Sequence, residues 1–212
     1  MMSDFIRARQ ENGSYCGPAV MQMLLSGIGL SVSQESVVQA CGAERSVMKV
    51  GIPLTELAIG ITKMFPELAV WEKRHSSIED IKNLLELGYL VAFDWQGIFQ
   101  GDEYHDDEHD GKLITWWKRL KGEPELKGDQ GHYCIALEVN SEKGYLRFAD
   151  PYGHYAGKDR YVALWEFEER WWDDRIDTDE KGKKVYVLEE RLIFVVTKKR
   201  GWKTSWLGDG KC

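Results

Sequence analysis

Basic residues are in deficit. Against 35 Asp and Glu the 212-residue chain carries only 28 Lys and Arg, a formal charge of −7. Nucleic acids and anionic membrane surfaces bind basic protein faces, so this balance argues against both as partners. Long apolar runs are missing as well. The longest candidate, Gly17–Leu30, is interrupted by Gln22, Ser26, Gly27 and Gly29 and is too short to span a bilayer. Met1–Gln10 has no apolar core of the kind an export signal needs, which predicts a cytoplasmic location. Cysteines are few, at positions 16, 41, 134 and 212, and none stands at CxxC spacing. That excludes a zinc ribbon or thioredoxin-type motif, and so wide a scatter does not read as a disulfide framework. There is no internal repeat and no low-complexity linker. With 43% apolar and 30% charged residues, the chain has ample material for a globular core.

Periodicity divides the chain in two. In residues 1–88 the pattern is mainly helical. Val20, Met23, Leu24 and Gly27 stand at i, i+3, i+4, i+7 in a helix over Gly17–Ser26, with Pro18 suited to its first turn. Further helices are predicted over Ser33–Cys41 and Pro53–Met64. Another starts at the capping-box-like Ser77-Ile-Glu-Asp80 and stops at Gly88. From residue 89 to 199 the period shortens. Tyr89–Trp95, Tyr133–Val139, Tyr145–Ala149 and Arg191–Thr197 read as strands, and one helix around Leu164–Trp172 sits among them. Asn140–Gly144 is a turn, so residues 132–150 form a hairpin. Helices first and an antiparallel sheet after predict an α+β fold in one domain over 1–199, with a tail at 200–212. Residues 100–131 fit neither half and read as a long excursion from the sheet edge.

A nucleophilic thiol needs a helix start or a cation to favour the thiolate, a base, and donors for an oxyanion. Cys16 stands at the predicted start of the first helix, where unpaired N–H groups and the helix dipole favour negative charge. Gln10, six residues upstream, offers a side-chain amide that with the Cys16 N–H would make an oxyanion hole. His132 opens a strand and is the candidate base, and Asp150 ends the partner strand and is its candidate orienter. If Val139 pairs with Tyr145, Cys134 faces Asp150 and His132 lies on the same face one diagonal step away. Diagonal neighbours lie about 7–8 Å apart, within reach of an Asp–His hydrogen bond. A slip of one residue would put the two on opposite faces.

The run Gln10-Glu-Asn-Gly-Ser-Tyr-Cys16-Gly-Pro-Ala, then Gly-His132-Tyr, then Ala-Asp150-Pro, resembles the papain-like cysteine peptidase family 39. Its best-known members are the double-glycine leader peptidase domains that process bacteriocin precursors. The resemblance covers most of the chain except residues 100–131 and the tail. It implies a papain-like fold, the N-terminal helical half packed on the antiparallel sheet half, and a cysteine peptidase acting on a peptide or protein without cofactor or metal. It implies Cys16 as nucleophile, His132 as general base and acid, Asp150 as its orienter and Gln10 for the oxyanion. The chain departs from the leader peptidases in carrying no transporter domain or Walker motif, which leaves the substrate open. Two alternatives stand beside hydrolysis. One is acyl transfer to an amine or thiol, as in the phytochelatin-synthase branch of the superfamily; the other is a peptide-binding module without catalysis.

Other chemistry-bearing residues have plainer readings. Cys41 and Cys134 read as core, His75 as surface, and His154 as a rival base only if the hairpin register is wrong. His105 and His109 with Asp106, Asp107, Glu108 and Asp110 offer donors for a divalent cation, but consecutive acids without an apolar anchor read better as a solvated loop. Asp173, Asp174, Asp177 and Asp179 lack the spacing of a calcium loop. Of Trp165, Trp171 and Trp172 at least one is core; Trp95, Trp116 and Trp117 flank the excursion and are candidates for lining a substrate groove. Six of the acidic residues lie at 102–110, and without them the charge of −7 becomes −1.

Overall fold

A computed structural model describes residues 4–97, 131–178 and 183–199. The first helix, α1, runs Cys16–Gly27; α2 is Gln34–Cys41, the single turn α3 is Val47–Val50, and α4 is Leu54–Met64. They are followed by β1 (Leu68–Lys73), α5 (Ile78–Glu86), β2 (Val91–Gln96), β3 (Gly131–Asn140) and β4 (Tyr145–Ala149). A 3-10 turn at Gly153–Tyr155 leads to β5 (Asp159–Ala163), α6 (Leu164–Arg170), β6 (Trp172–Thr178), β7 (Lys184–Glu190) and β8 (Ile193–Lys198). The α+β expectation holds, and each predicted helix and strand is found within a few residues of its expected place.

Local chemistry explains the boundaries. The Ser33 side chain accepts a hydrogen bond from the Ser36 N–H at the start of α2, and Gly42, at φ +67°, closes it in the left-handed region. Ser77 and Asp80 form a reciprocal capping box on α5. Pro18 stands in the first turn of α1, where its missing N–H removes no intrahelical bond.

Six strands form one antiparallel sheet in the order β1-β8-β2-β3-β4-β5, with β6 and β7 paired separately. Strand β1, inside the mainly helical half, was not bounded from sequence; neither were β5, β6 and β7. The two faces of the sheet bury two apolar clusters. Ala92, Tyr133, Ile135 and Phe194 meet α1, α2 and α4 on one face. Phe93, Trp95, Cys134, Phe148 and Ile193 meet α5, Phe167 and Trp171 on the other. Strand alternation assigns Trp95 to the second face, where it is fully buried and packs edge-on against Phe148 at 5.2 Å between ring centroids. Trp95 is therefore a core residue, and its candidate role in a substrate groove falls away. Trp171 and Trp172 are buried while Trp165 is exposed.

Close packing of α2 on α4 depends on Gly60. A Cβ there would stand 2.5 Å from Cys41 Sγ and 3.0 Å from the Cys41 backbone nitrogen. Backbone cannot give way as a side-chain tip does, so Gly60→Ala is expected to destabilise the protein by about 1–3 kcal/mol through overpacking. Urea denaturation checks this as a lower midpoint at unchanged slope.

Candidate active site

The hairpin that carries His132 and Asp150 does not have the simple register expected. Val139 pairs with Leu146, not Tyr145, and Asn140 pairs with Tyr145. The register then shifts between Glu138↔Arg147 and Ala136↔Phe148, leaving Leu137 as the extra residue of a bulge. Beyond it Ile135 faces Ala149, so the expected pairing is recovered at the end where the polar residues stand. Without the bulge the outer register would place His132 and Asp150 on opposite faces, because side chains alternate along a strand.

His132 Nε2 and Asp150 Oδ1 are 2.8 Å apart, and both residues are buried, each 2% exposed. Asp150 Oδ1 also accepts the Tyr152 N–H at 2.8 Å, and Oδ2 accepts from Arg160 Nη1 of β5. Burial alone would raise the Asp150 pKa; the neighbouring His132 and Arg160 cations and the Tyr152 N–H outweigh it and hold the carboxyl below its ordinary range. Burial likewise opposes the imidazolium of His132, but the contact with the Cys134 sulfur and the charge and hydrogen bond of Asp150 raise its pKa well above the usual histidine value. At neutral pH the Asp150 carboxylate, which stays ionised, sustains that shift.

The thiol that gathers with this pair is Cys134. Its Sγ and the nearest donor atoms of His132 and Asp150 all lie within 4.8 Å of one another. Burial, followed by the Asp150 charge, pushes the Cys134 thiol up to about 12, so it is neutral and inert at physiological pH. Within the trio the His132 Nε2–H donates to Asp150 Oδ1, and Asp150 Oδ2 accepts from Arg160. Cys134 is core, as expected. Cys41 is half-buried, its thiol pushed up to about 11 by burial and by Glu56.

Cys16 is half-buried at the start of α1. No side chain caps that helix and no acidic residue occupies its first turn. Gly17 lets the helix start sit against the sheet: a Cβ there would lie 3.5 Å from Tyr133 Cδ2 and 2.9 Å from Leu57 Cδ1. Gln10 is fully buried and tied to the Asp150 end of the hairpin, its N–H donating to Pro151 O at 2.8 Å. Its Nε2 donates to Asn12 O at 2.7 Å, while Oε1 is buried with no partner among the described residues. Gln34, buried at the start of α2, clamps the flanking backbone by accepting from the Glu11 N–H and donating to Arg9 O.

Sequence reasoning missed three features here. Asp94, 2% exposed, projects from β2 on the Tyr133 face, and its Oδ1 has no partner among the described residues. Burial and the charges of Asp173, Cys16 and Glu189 raise its pKa well above the carboxylate range. A single carboxylate inside Val-Ala-Phe-Asp-Trp was the available signal. Gln96 Nε2 donates to Asp173 Oδ1 at 3.0 Å, and Gly131 leaves room for that carboxylate, which a Cβ would strike. Arg160 carried no sequence signal. His154 is exposed and stacks on Tyr155, and His75 is exposed; neither joins the cluster. The His105–His109 group, the acidic run 102–110, Trp116, Trp117, Asp179 and Cys212 lie outside the described residues.

A raised carboxyl pKa costs stability above its unfolded value, since the folded state must keep a proton the unfolded chain releases. Asp94→Asn is therefore expected to raise Tm at pH 7 and to lose that advantage as pH falls toward the ordinary carboxylate range. Each kcal/mol corresponds to about 2–4 °C in a chain of this size, and thermal melts at pH 7 and pH 4 read the difference.

Residues 2–175 match the Peptidase_C39 like family. The chain belongs to that family. No functionally curated protein matches it. The fold is similar to the peptidase domain of Streptococcus ComA, a bi-functional ABC transporter involved in a quorum sensing pathway. That similarity has a TM-score of 0.51 at 12% identity, over 91% of this chain and 97% of that one. It is also similar to a Bacillus anthracis protein described as a C39-like peptidase, with a TM-score of 0.53 at 16% identity, over 92% and 94% of the two chains. At such identities the likeness shows the fold alone, and that fold is the papain-like one expected. Family and fold together support a peptidase in general. Among the described residues no helix is long and apolar enough to cross a membrane.

Proposed function

We propose that the protein is a thiol-dependent peptidase of the cytoplasm, with Cys16 as nucleophile, His132 as its acid and base, Asp150 as the orienter of His132 and Gln10 as an oxyanion donor. The observation that carries this reading is the buried His132–Asp150 pair at 2.8 Å, joined through the Gln10 N–H to Pro151 O bond to the segment that leads into the Cys16 helix. Cys16 is preferred over Cys134 because a nucleophile must meet substrate as a thiolate. Cys134 is fully buried and protonated, whereas Cys16 is half-buried at an uncapped helix start.

With Nε2 committed to Asp150, proton exchange with the thiol falls to Nδ1 of His132. The thiolate attacks the peptide carbonyl carbon, and the oxyanion takes hydrogen bonds from the Cys16 N–H and the second Nε2 hydrogen of Gln10. The imidazolium hands its proton to the leaving amine as the C–N bond breaks. Neutral His132 then takes a proton from water, whose oxygen displaces the thiolate from the thioester. The substrate is a peptide or protein.

A defined peptide library incubated with the protein and read by mass spectrometry tests this. New termini are expected, and alkylation of the protein with iodoacetamide should abolish them. Intact peptides between pH 4 and pH 10, with the protein folded throughout, would overturn it.

A further inference from the structure

We propose that Arg160 is a positioning residue of this site, acting on His132 through the one carboxylate that both side chains share. The proposal rests on the thiol-peptidase reading above for its catalytic consequence, though not for its physical one. Asp150 is saturated: Oδ1 takes His132 Nε2 and the Tyr152 N–H, each at 2.8 Å, and Oδ2 takes Arg160 Nη1. The Asp150 side chain is wholly buried, so without Arg160 its second oxygen would be an unpaired charged acceptor. A carboxylate bonded at both oxygens cannot rotate about its Cβ–Cγ bond, and the imidazole it holds keeps one orientation.

The guanidinium is itself held. In the β4–β5 ladder Arg160 pairs with Phe148, which directs its side chain to the face that carries His132. Its terminal carbon lies 3.7 Å from the centroid of the Tyr155 ring and 5.3 Å from that of Phe148. Tyr155 ends the 3-10 turn that follows Asp150-Pro151, so the turn places a cation–π platform under the residue that clamps Asp150. Planarity matters on both sides, since a guanidinium both stacks on a ring and presents fixed N–H vectors; an ammonium does neither.

Arg160 also divides the Asp150 charge. Two cations share one carboxylate, and removing Arg160 leaves the full charge to His132. The other groups that act on His132 are Asp94 from β2, neutral Cys134 from β3, the Tyr152 ring at 6.0 Å and, in the reading above, Cys16. Of these Cys134 also feels Arg160, whose charge lowers its thiol pKa, so replacing Arg160 leaves that thiol more firmly protonated and still neutral.

The test uses the whole chain, with Arg160→Met and Arg160→Lys, and follows the His132 ring by NMR against pH beside the pH profile of peptide cleavage. Arg160→Met is expected to move the His132 midpoint to higher pH and to lower kcat by roughly 10- to 100-fold at nearly unchanged KM, the scale of lost outer-shell partners. Arg160→Lys should keep the midpoint near the parent value, because the charge remains, while losing part of kcat. A folded Arg160→Met protein with an unmoved midpoint would overturn the proposal. If the Met variant does not fold, parental kcat in Arg160→Lys overturns the need for the fork, and a reduced kcat with a kept midpoint sustains it. Absence of cleavage in the parent protein defeats the peptidase reading instead, and leaves the NMR midpoint to decide the role of Arg160.

Discussion

Cys16→Ser is expected to lower peptide turnover on the order of 10⁴- to 10⁶-fold, the loss seen when a catalytic nucleophile is removed from a triad. The alcohol is a poor substitute, since its proton is held far more tightly than a thiol's and the site is arranged for a thiolate partner. The fold should not suffer, because Cys16 is only partly packed against the α1 core. The decisive comparison is Cys134→Ala. Cys134 is fully buried in the cluster with Phe93 and Phe148, so the smaller side chain should cost about 1–2 kcal/mol in stability while turnover stays within a few-fold. Initial rates on a cleaved peptide, with denaturation midpoints for both variants, separate the two. Loss of turnover in Cys134→Ala with turnover kept in Cys16→Ser would transfer the nucleophile to the thiol that already lies against His132.

Replacement of Asp150 by Asn should damage both activity and stability. Loss of the orienting carboxylate in a comparable triad costs about 10⁴-fold in kcat, because the imidazole takes the wrong tautomer. The neutral amide of Asp150→Asn leaves Arg160 and His132 without a counter-ion in a buried setting. Breaking one partner of such a group costs about 3–5 kcal/mol, or roughly 2–4 °C of Tm for each kcal/mol. The pH dependence has a definite sign. Asp150 has a lowered pKa, so its contribution is present above its unfolded value of 3.8 and is lost as pH falls through the folded one. His132 has a raised pKa, so its contribution is present below 6.5 and is lost as pH rises through the folded value. The parent protein should therefore show a stability plateau between about pH 3.8 and pH 6.5, with a decline below it toward the folded Asp150 value and a decline above it toward the folded His132 value. In Asp150→Asn the burial of His132 is no longer opposed by that carboxylate, and both shoulders should shrink. A variant with the parental plateau would show that the pair does not govern stability.

Much of the fold was legible because its signals are local. Ser33, Ser77 with Asp80, Gly42 and Gly88 mark helix ends through bonds that span three or four residues, and apolar spacing marks α1, α4 and α5. Strand β1 escaped because its run Leu-Ala-Val-Trp-Glu-Lys lies between helices and finds its partner, β8, at the far end of the chain. The short strands β5, β6 and β7 set charged residues side by side, as in Asp159-Arg160, Asp173-Asp174-Arg175 and Glu189-Glu190, which breaks the period-two alternation of a strand and reads as loop. At the site, the motif order indicated His132 and Asp150, yet their meeting depends on the bulge at Leu137, for which nothing in the sequence of one strand is a reliable sign. Arg160 and Asp94 were invisible for a related reason. One is defined by its partners across two strands, the other by its depth.

From its sequence alone this chain is an α+β protein of the family-39 type, with Cys16 at a helix start and His132 and Asp150 on one hairpin. These are consequences of periodicity, caps and motif order. Tertiary structure decided which ring nitrogen of His132 meets Asp150, that Cys134 is buried against them as a protonated thiol, that Trp95 faces the core, and that Arg160 takes the second carboxylate oxygen. Each depends on strand register and burial, where a shift of one residue reverses the face of a side chain and the loss of water decides whether a group keeps its charge.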